Sequence, residues 1–263
     1  MITGGTGVLG YSMAEGLVNA GVKVAILSRT QEKADQKAAG LNGEAMGFAA
    51  DPRDRKSLES VLASITDKWG TPDFLINAAG GNDPAATAKV EQLDGETDPD
   101  EGFFGMDVDA IRETVDLNLI GTVLPSMVIG RAMVERGSGV IINISSMSAF
   151  HPLTKVGGYS FSKAAVNSFT EWLAVHLAKT GVRVNAIAPG FFLTEQNRFL
   201  LTDKDTGEMT ARGGKIIAAT PQERFGKPEE LQGLLLYLLS DGAAFTTGTV
   251  IPVDGGFNAY AGV

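Results

Sequence analysis

The chain has 263 residues, 44% of them hydrophobic and 20% charged, which suits one α/β domain with a full core. A net charge of −9 argues against a nucleic-acid partner. With no cysteine, disulfides, thiol catalysis and cysteine-ligated metal are excluded, and two histidines, His151 and His176, are too few for a typical zinc site, so no metal is expected. No apolar run reaches the roughly 18 residues of a membrane span, so the expectations are a cytoplasmic location and no membrane partner.

Met1-Ile2-Thr3 reads as the end of a strand that runs into Gly4-Gly5-Thr6-Gly7-Val8-Leu9-Gly10. Gly5, Gly7 and Gly10 fit G-x-G-x-x-G, and Tyr11 to Ala20 read as the following helix. Such a turn lets backbone approach a pyrophosphate, whose charge sits on the helix N-terminus. A central strand of three residues is short, because about five or six are usual there. A few natural residues are therefore expected to precede Met1; an intact mass of the native protein equal to this chain would refute that.

Val22 to Leu27 is the second strand, ending in Ser28-Arg29-Thr30. An acid at this end would bind an adenosine 2′-hydroxyl and repel a phosphate. Two hydroxyls and a guanidinium instead suit a 2′-phosphate, so NADP(H) is favoured over NAD(H). Gln31 to Ala39 is a polar helix, and Ala45 to Ala50 a strand ending at Asp51-Pro52. Leu58, Val61, Leu62 and Ile65 mark a helix through Trp69, and Phe74 to Ile76 a strand before Asn77-Ala78-Ala79-Gly80. Alternating short apolar strands and helices predict a parallel sheet covered on both faces.

Residues 81–107 form a long acidic insertion, with eight acids against Lys89 and so a local charge of −7 (8 − 1). A solvated face is its simplest reading, a lid or subunit contact the alternative. Asp107 to Ile120 reads as a helix with Asn118 in its last part, where asparagine is a poor helix former. Gly139 to Ile144 is a strand ending at Ser145-Ser146, Ser160 to Lys179 a helix with Tyr159 at its start, and Val182 to Ala188 a strand ending in Pro189-Gly190. Residues 191–226 read as mostly irregular, Pro228 to Ser240 as a helix, and Val250 to Val253 as the last strand.

Tyr159 and Lys163 stand four residues apart, on one helix face. A free phenol is a poor base at neutral pH, and a nearby Lys⁺ favours the phenolate; moving its pKa by about three units needs roughly 4 kcal/mol. Ser146, 13 residues before Tyr159, could hold a substrate oxygen while Tyr159 passes the proton.

These strings together resemble the short-chain dehydrogenase/reductase family, in its main branch, over nearly the whole chain. The resemblance rests on TGGTGVLG at 3–10, Asp51, NAAG at 77–80, Asn118, INISS at 142–146, Tyr159 with Lys163, NAIAPG at 185–190 with Thr194, and VDGG at 253–256. It implies a single Rossmann-type domain over 1–263, a doubly wound sandwich around a mostly seven-stranded parallel sheet, with a substrate loop at 191–226. It also implies a catalytic tetrad of Asn118, Ser146, Tyr159 and Lys163. Tyr159 would be the acid/base, Ser146 would orient the reacting oxygen, Lys163 would lower the phenol pKa and hold the nicotinamide ribose, and Asn118 would keep a relay water.

Cofactor contacts implied in the same way are Gly4, Thr6, Gly7, Val8 and Leu9; Ser28, Arg29 and Thr30; Asp51 and Pro52; Asn77, Ala78, Ala79 and Gly80; and Pro189, Gly190, Phe192 and Thr194, besides Tyr159 and Lys163. Two departures stand out. Val8 occupies the usual middle-glycine position, leaving Gly4, Gly7 and Gly10 at a spacing more like the extended branch, and NAAG replaces the commoner NNAG.

Residues 191–226 mix amides, cations and aromatics, which suits a polar, anionic substrate, since arginine grips a carboxylate in two bonds. The alternative is that Arg198, Arg212 and Lys215 only balance nearby acids. AGGN at 79–82, GFFLTEQNRFLLT at 190–202 and DGGFNAYAGV at the end are similar to the family's D-mannonate oxidoreductase group. That resemblance implies a sugar-acid substrate, D-fructuronate reduced to D-mannonate, with Asn82, Ser146, His151 and Arg198 as substrate candidates. Gluconate/5-ketogluconate or a 3-oxoacyl thioester are alternative substrates, and a nucleotide-sensing protein without catalysis is a remote one. The family resemblance also implies a homotetramer or homodimer through the helices at 107–135 and 160–179 and the C-terminal strand.

Overall fold

The computed structural model describes residues 1–193, 201 and 208–262. Seven parallel strands form one sheet: β1 (Ile2–Thr3), β2 (Val24–Ser28), β3 (Ala45–Ala49), β4 (Phe74–Asn77), β5 (Gly139–Ile144), β6 (Val182–Pro189) and β7 (Val250–Val253). Their order is β3-β2-β1-β4-β5-β6-β7, the doubly wound sheet expected, with its switch point between β1 and β4. Ile2 pairs with both Ile26 and Ile76, and Thr3 with Asn77.

The helices α1 (Val8–Asn19), α2 (Gln31–Ala39), α3 (Arg55–Trp69), α4 (Val108–Val115), α5 (Gly121–Arg136), α6 (Gly157–Leu177), α7 (Ala211–Ala218) and α8 (Gln232–Leu239) cover the sheet. One core joins Met13, Leu17, Ile26, Ile142, Ile187, Leu235 and Leu238; the other joins Leu58, Val61, Leu75, Ile129, Met133, Ile141 and Val184. Ile141 and Ile142 fall in opposite cores because successive strand side chains alternate faces.

Three elements differ most from the sequence reading. α1 begins at Val8 rather than Tyr11, because Gly7 itself takes the extended N-cap conformation (φ −74°, ψ 164°). The helix expected to end at Ile120 continues through a π-helical turn, Asp116–Ile120, into α5. Within that turn the Asn118 side chain donates to Thr114 O at 2.7 Å, the carbonyl that an α-helical backbone N–H at this position would use.

The continuous stretch Val108–Arg136 is long and apolar enough to cross a membrane by length and mean composition alone, though it holds no uninterrupted apolar run of that length. Half of its most apolar window is buried inside the protein, as in the core helix of a folded domain. Residues 191–226 contain α7, started by Thr210, whose hydroxyl accepts from Gly213 N at 3.1 Å; Gly213 and Gly214 hide this helix in the sequence.

The acidic insertion is organised by its own acids. Asp83, Asp94, Asp98 and Asp107 each accept backbone N–H groups two or three residues ahead, starting 3₁₀ turns, a bend and α4. Glu91 pairs with Lys215 of α7 at 2.9 Å. The stretch is thus a capped loop tied by an ion pair to α7.

Candidate active site

The turn after β1 is built around Gly4 and Gly10, which no other residue replaces without movement. Gly4 has φ +63°, and a Cβ there would lie 2.7 Å from Ala78 O and Ala79 N. A Cβ on Gly10 would lie 2.4 Å from Gly4 O, so the turn and α1 interlock. Gly5, part of the fingerprint read from the sequence, packs against Ile2 and Ile26 side chains instead. No side chain caps α1 and no acid lies in its first turn, so its N-terminal N–H groups and positive dipole end are offered to an anion.

Beside this turn lies a cleft of about 620 Å³. Gly4, Thr6 and Gly7 line one wall, Ser28, Arg29 and Thr30 a second, and Asp51, Pro52, Ala78, Ala79 and Gly80 the rest. The Thr6 hydroxyl donates to Ser28 Oγ at 3.3 Å. Lys33 of α2, Arg53 and Glu113 also border the cleft, and none was singled out from the sequence. Their signal was positional: Lys33 lies one turn into α2, and Arg53 two residues after Asp51.

Several expected cofactor residues stand elsewhere. Asn77 is 1% exposed and turns under the cleft, donating to Asn143 Oδ1 at 2.9 Å and Ser126 Oγ at 3.0 Å. Asn143 in turn donates to Thr170 Oγ1 at 2.9 Å, so this asparagine ladder ties β4 and β5 to α5 and α6. The reason is register: Asn77 and Asn143 are paired neighbours in the sheet. Phe192 is 4% exposed and its ring packs in the first core. Val8 and Leu9 are the first residues of α1 and offer backbone N–H groups. Pro189 ends β6, and Gly190 N donates to Val253 O at 2.9 Å. Thr194 and Arg198 lie outside the described residues.

The four tetrad positions converge where β4, β5, the π turn and α6 meet. Asn118, fully buried, donates to Gly81 O at 2.7 Å and accepts from Gly81 N at 3.3 Å. A Cβ on Gly80 would lie 2.6 Å from Asn118 Oδ1 and 3.2 Å from Lys163 Nζ, so the glycine is what lets these two side chains meet β4's end. Lys163, 4% exposed, donates to Ile144 O at 2.8 Å, and its Nζ lies 5.6 Å from the Tyr159 ring centre. Burial lowers the Lys163 ammonium to about 8.

Tyr159 shares a hydrogen bond with Ser146. Burial raises the phenol above its ordinary value, and that bond offsets part of the rise. Burial is the larger of these two causes, and Lys163, four residues on, directs one of its three N–H groups to Ile144 O.

Among the substrate candidates, Asn82 follows directly on the Gly81 that clamps Asn118. Its amide nitrogen donates to Asp83 O (2.9 Å) and Thr87 Oγ1 (2.8 Å), while its Oδ1 is buried with no hydrogen-bond partner among the described residues. His151 is exposed and bonds Asn258 Oδ1 through Nδ1 at 2.8 Å, linking the loop after Ser146 to the C-terminal segment. Phe191 packs edge-on against Phe257 in the same region.

A family model described as enoyl-(acyl carrier protein) reductase matches residues 6–258. An uncharacterized oxidoreductase, UxuB, of Bacillus subtilis is 49% identical over all of this chain and 95% of its own length. A crystal structure of a candidate D-mannonate oxidoreductase from Haemophilus influenza, with NAD bound, superposes with TM-score 0.94 at 42% identity, covering 100% of this chain and 95% of that one. A gluconate 5-dehydrogenase from Burkholderia cenocepacia, in complex with NADP and tartrate, has TM-score 0.82 at 27% identity over 99% of this chain and 94% of its own.

Proposed function

We propose, from the premise that this chain belongs to the short-chain dehydrogenase/reductase family and is an NAD(P)-dependent oxidoreductase acting on CH–OH groups, that it interconverts the keto group of D-fructuronate and the secondary alcohol of D-mannonate. The observation that carries the substrate reading is the full-length likeness to the NAD-bound Haemophilus structure.

The coenzyme supplies or accepts the hydride. The uncapped start of α1 holds its pyrophosphate, with Gly4, Thr6 and Gly7 giving backbone room. Tyr159 delivers the proton to the keto oxygen in reduction and removes it in oxidation. Ser146 holds that oxygen beside the phenol to which it is already bonded. Lys163 and Asn118 keep a polar path behind Tyr159 through which its proton is replaced. Asn82 Oδ1, an acceptor whose amide nitrogen is already fully engaged, takes a hydroxyl of the sugar acid. His151 and Arg198 remain candidates for the carboxylate.

Ser28, Arg29, Thr30 and Lys33 at the ribose end, with no carboxylate among them, support NADP(H) over NAD(H). Exposed Phe161, Trp172 and Val175 on α6 and Met127 on α5 support a homotetramer or homodimer through these helices, and light scattering that finds a monomer would refute it. A second reading, gluconate and 5-ketogluconate, draws on the likeness to the Burkholderia enzyme.

The test follows NADPH and NADH consumption separately with D-fructuronate, using Tyr159→Phe as control. Turnover that disappears in the variant supports the reaction and the role of Tyr159. Turnover of 5-ketogluconate with none of D-fructuronate would replace the hexuronate reading with the second one.

A further inference from the structure

At the adenine end of the cleft, one guanidinium stands among three carboxylates. Arg53 grips Asp51 as a fork: its backbone N donates to Asp51 Oδ1 at 2.8 Å, Nε to the same oxygen at 3.2 Å, and a terminal nitrogen to Oδ2 at 3.2 Å. The other terminal nitrogen reaches across to Glu113 Oε1 at 2.5 Å and Asp116 Oδ2 at 3.5 Å. Glu113 and Asp116 are three residues apart on one helix face, and Asp116 opens the π turn that holds Asn118.

Asp51, Arg53 and Glu113 all border the cleft, and the Arg53 side chain is only 24% exposed. The other charges facing this end are Arg29, which acts on Asp51 through space, and Lys33 of α2.

The charge count shows what Arg53 does. With it, the cluster of Asp51, Glu113 and Asp116 carries −2; without it, three carboxylates crowd the wall of a site for a polyanionic ligand. Each would repel the others and the ligand's phosphates. A surface ion pair is a sufficient explanation for one such contact, but not for a fork onto Asp51 combined with a bridge to a second element.

We propose that Arg53 is a positioning residue for coenzyme: it fixes the Asp51 carboxylate at the adenine end and cancels the charge of Glu113 and Asp116, so that the β3–α3 turn and the Asn118 helix form one wall. This rests on the coenzyme occupying the cleft, as in the proposed function.

The test measures NADPH and NADH binding directly, by coenzyme fluorescence, to wild type and Arg53→Met, with thermal melts of the free proteins confirming folding. The dissociation constant should rise about tenfold at pH 8 in the variant, equivalent to roughly 1.4 kcal/mol. The deficit relative to wild type at the same salt should shrink as ionic strength rises and screens the uncompensated acids. Adding Glu113→Gln and Asp116→Asn to Arg53→Met should return affinity to within about threefold of wild type. A deficit independent of ionic strength, or no rescue by removing the two acids, would reduce Arg53 to a packing role and overturn the proposal.

Should Arg53→Met fail to fold, the two acid substitutions in the wild-type background carry the test: affinity that holds or rises supports it, and affinity that falls overturns it. Gly7→Asp separates the two readings. Aspartate is a good N-cap and its Cβ meets only Gly4 O, at 3.3 Å, so α1 stays intact while a carboxylate occupies the anion site. Coenzyme binding retained by Gly7→Asp would refute the cleft itself, whatever Arg53 does.

Discussion

Gly80→Ala tests the convergence of the tetrad positions most directly. Gly80 does not use the left-handed region, so alanine meets no backbone penalty and the substitution isolates one contact. The added methyl would lie 2.6 Å from Asn118 Oδ1, about 0.8 Å inside the 3.4 Å at which ordinary contact begins. Asn118 cannot swing aside freely, because its amide nitrogen is held at 2.7 Å by both Thr114 O and Gly81 O. Either the end of β4 or the π turn must therefore shift by most of an ångström.

Overpacking of this size costs about 1–3 kcal/mol of stability. A displacement near 1 Å at a catalytic group lowers kcat on the order of 100-fold. The assay is kcat for D-fructuronate reduction with saturating coenzyme, on a sample whose thermal midpoint is measured in parallel. Gly81→Ala is the matched control: a Cβ there meets nothing within 4 Å, so its rate should stay within about threefold of wild type. Wild-type turnover in Gly80→Ala, or an equal loss in Gly81→Ala, would refute the reasoning.

Other outcomes follow from the buried polar groups and the backbone. Lys163 releases its proton near 8 when folded, against an ordinary 10.5 when unfolded. Between those values the unfolded chain binds more protons, so the ligand-free protein should gain up to about 3 kcal/mol from this lysine as pH rises through that window. Denaturant melts at pH 7.5, 8.5 and 9.5 should show the rise, and Lys163→Met should flatten it.

Asn143→Ala strands the Asn77 amide and removes a donor to Thr170, and should cost about 2–3 kcal/mol in the same melts while leaving the cleft open; a loss under 1 kcal/mol would show that the ladder is replaceable. Glu223 is the one non-glycine residue at positive φ among those described, at 52°. Glu223→Val should lose about 1–2 kcal/mol and Glu223→Gly should lose none, as judged by thermal midpoint.

The alternation of short apolar strands and amphipathic helices predicts a parallel sheet covered on both faces, because strand and helix periods are local properties of the chain; the seven strands and their doubly wound order came with the family resemblance. The glycine turn, Ser146, Asn118 and the Tyr159–Lys163 pair were legible for a similar reason: each is a residue type set at the end of a strand or at a fixed helical spacing. The direction of each side chain was not. Asn77 stands at the expected place after β4, yet strand pairing with Asn143 turns it beneath the cleft. Phe192 belongs to the core because Gly226 leaves room for its ring.

The bridge that Arg53 makes could not be read, since Glu113 and Asp116 are about 60 residues away and meet it only when α4 and the π turn pack beside the β3–α3 turn. The Tyr159 phenol shows the same limit. Spacing placed a cation one turn from it, but burial raises the phenol and the carbonyl of Ile144, supplied by β5, takes a hydrogen bond from that cation. Local sequence fixes which groups are present and how far apart they sit along an element; desolvation and long-range pairing, which exist only after the sheet has closed on its helices, fix what those groups can do.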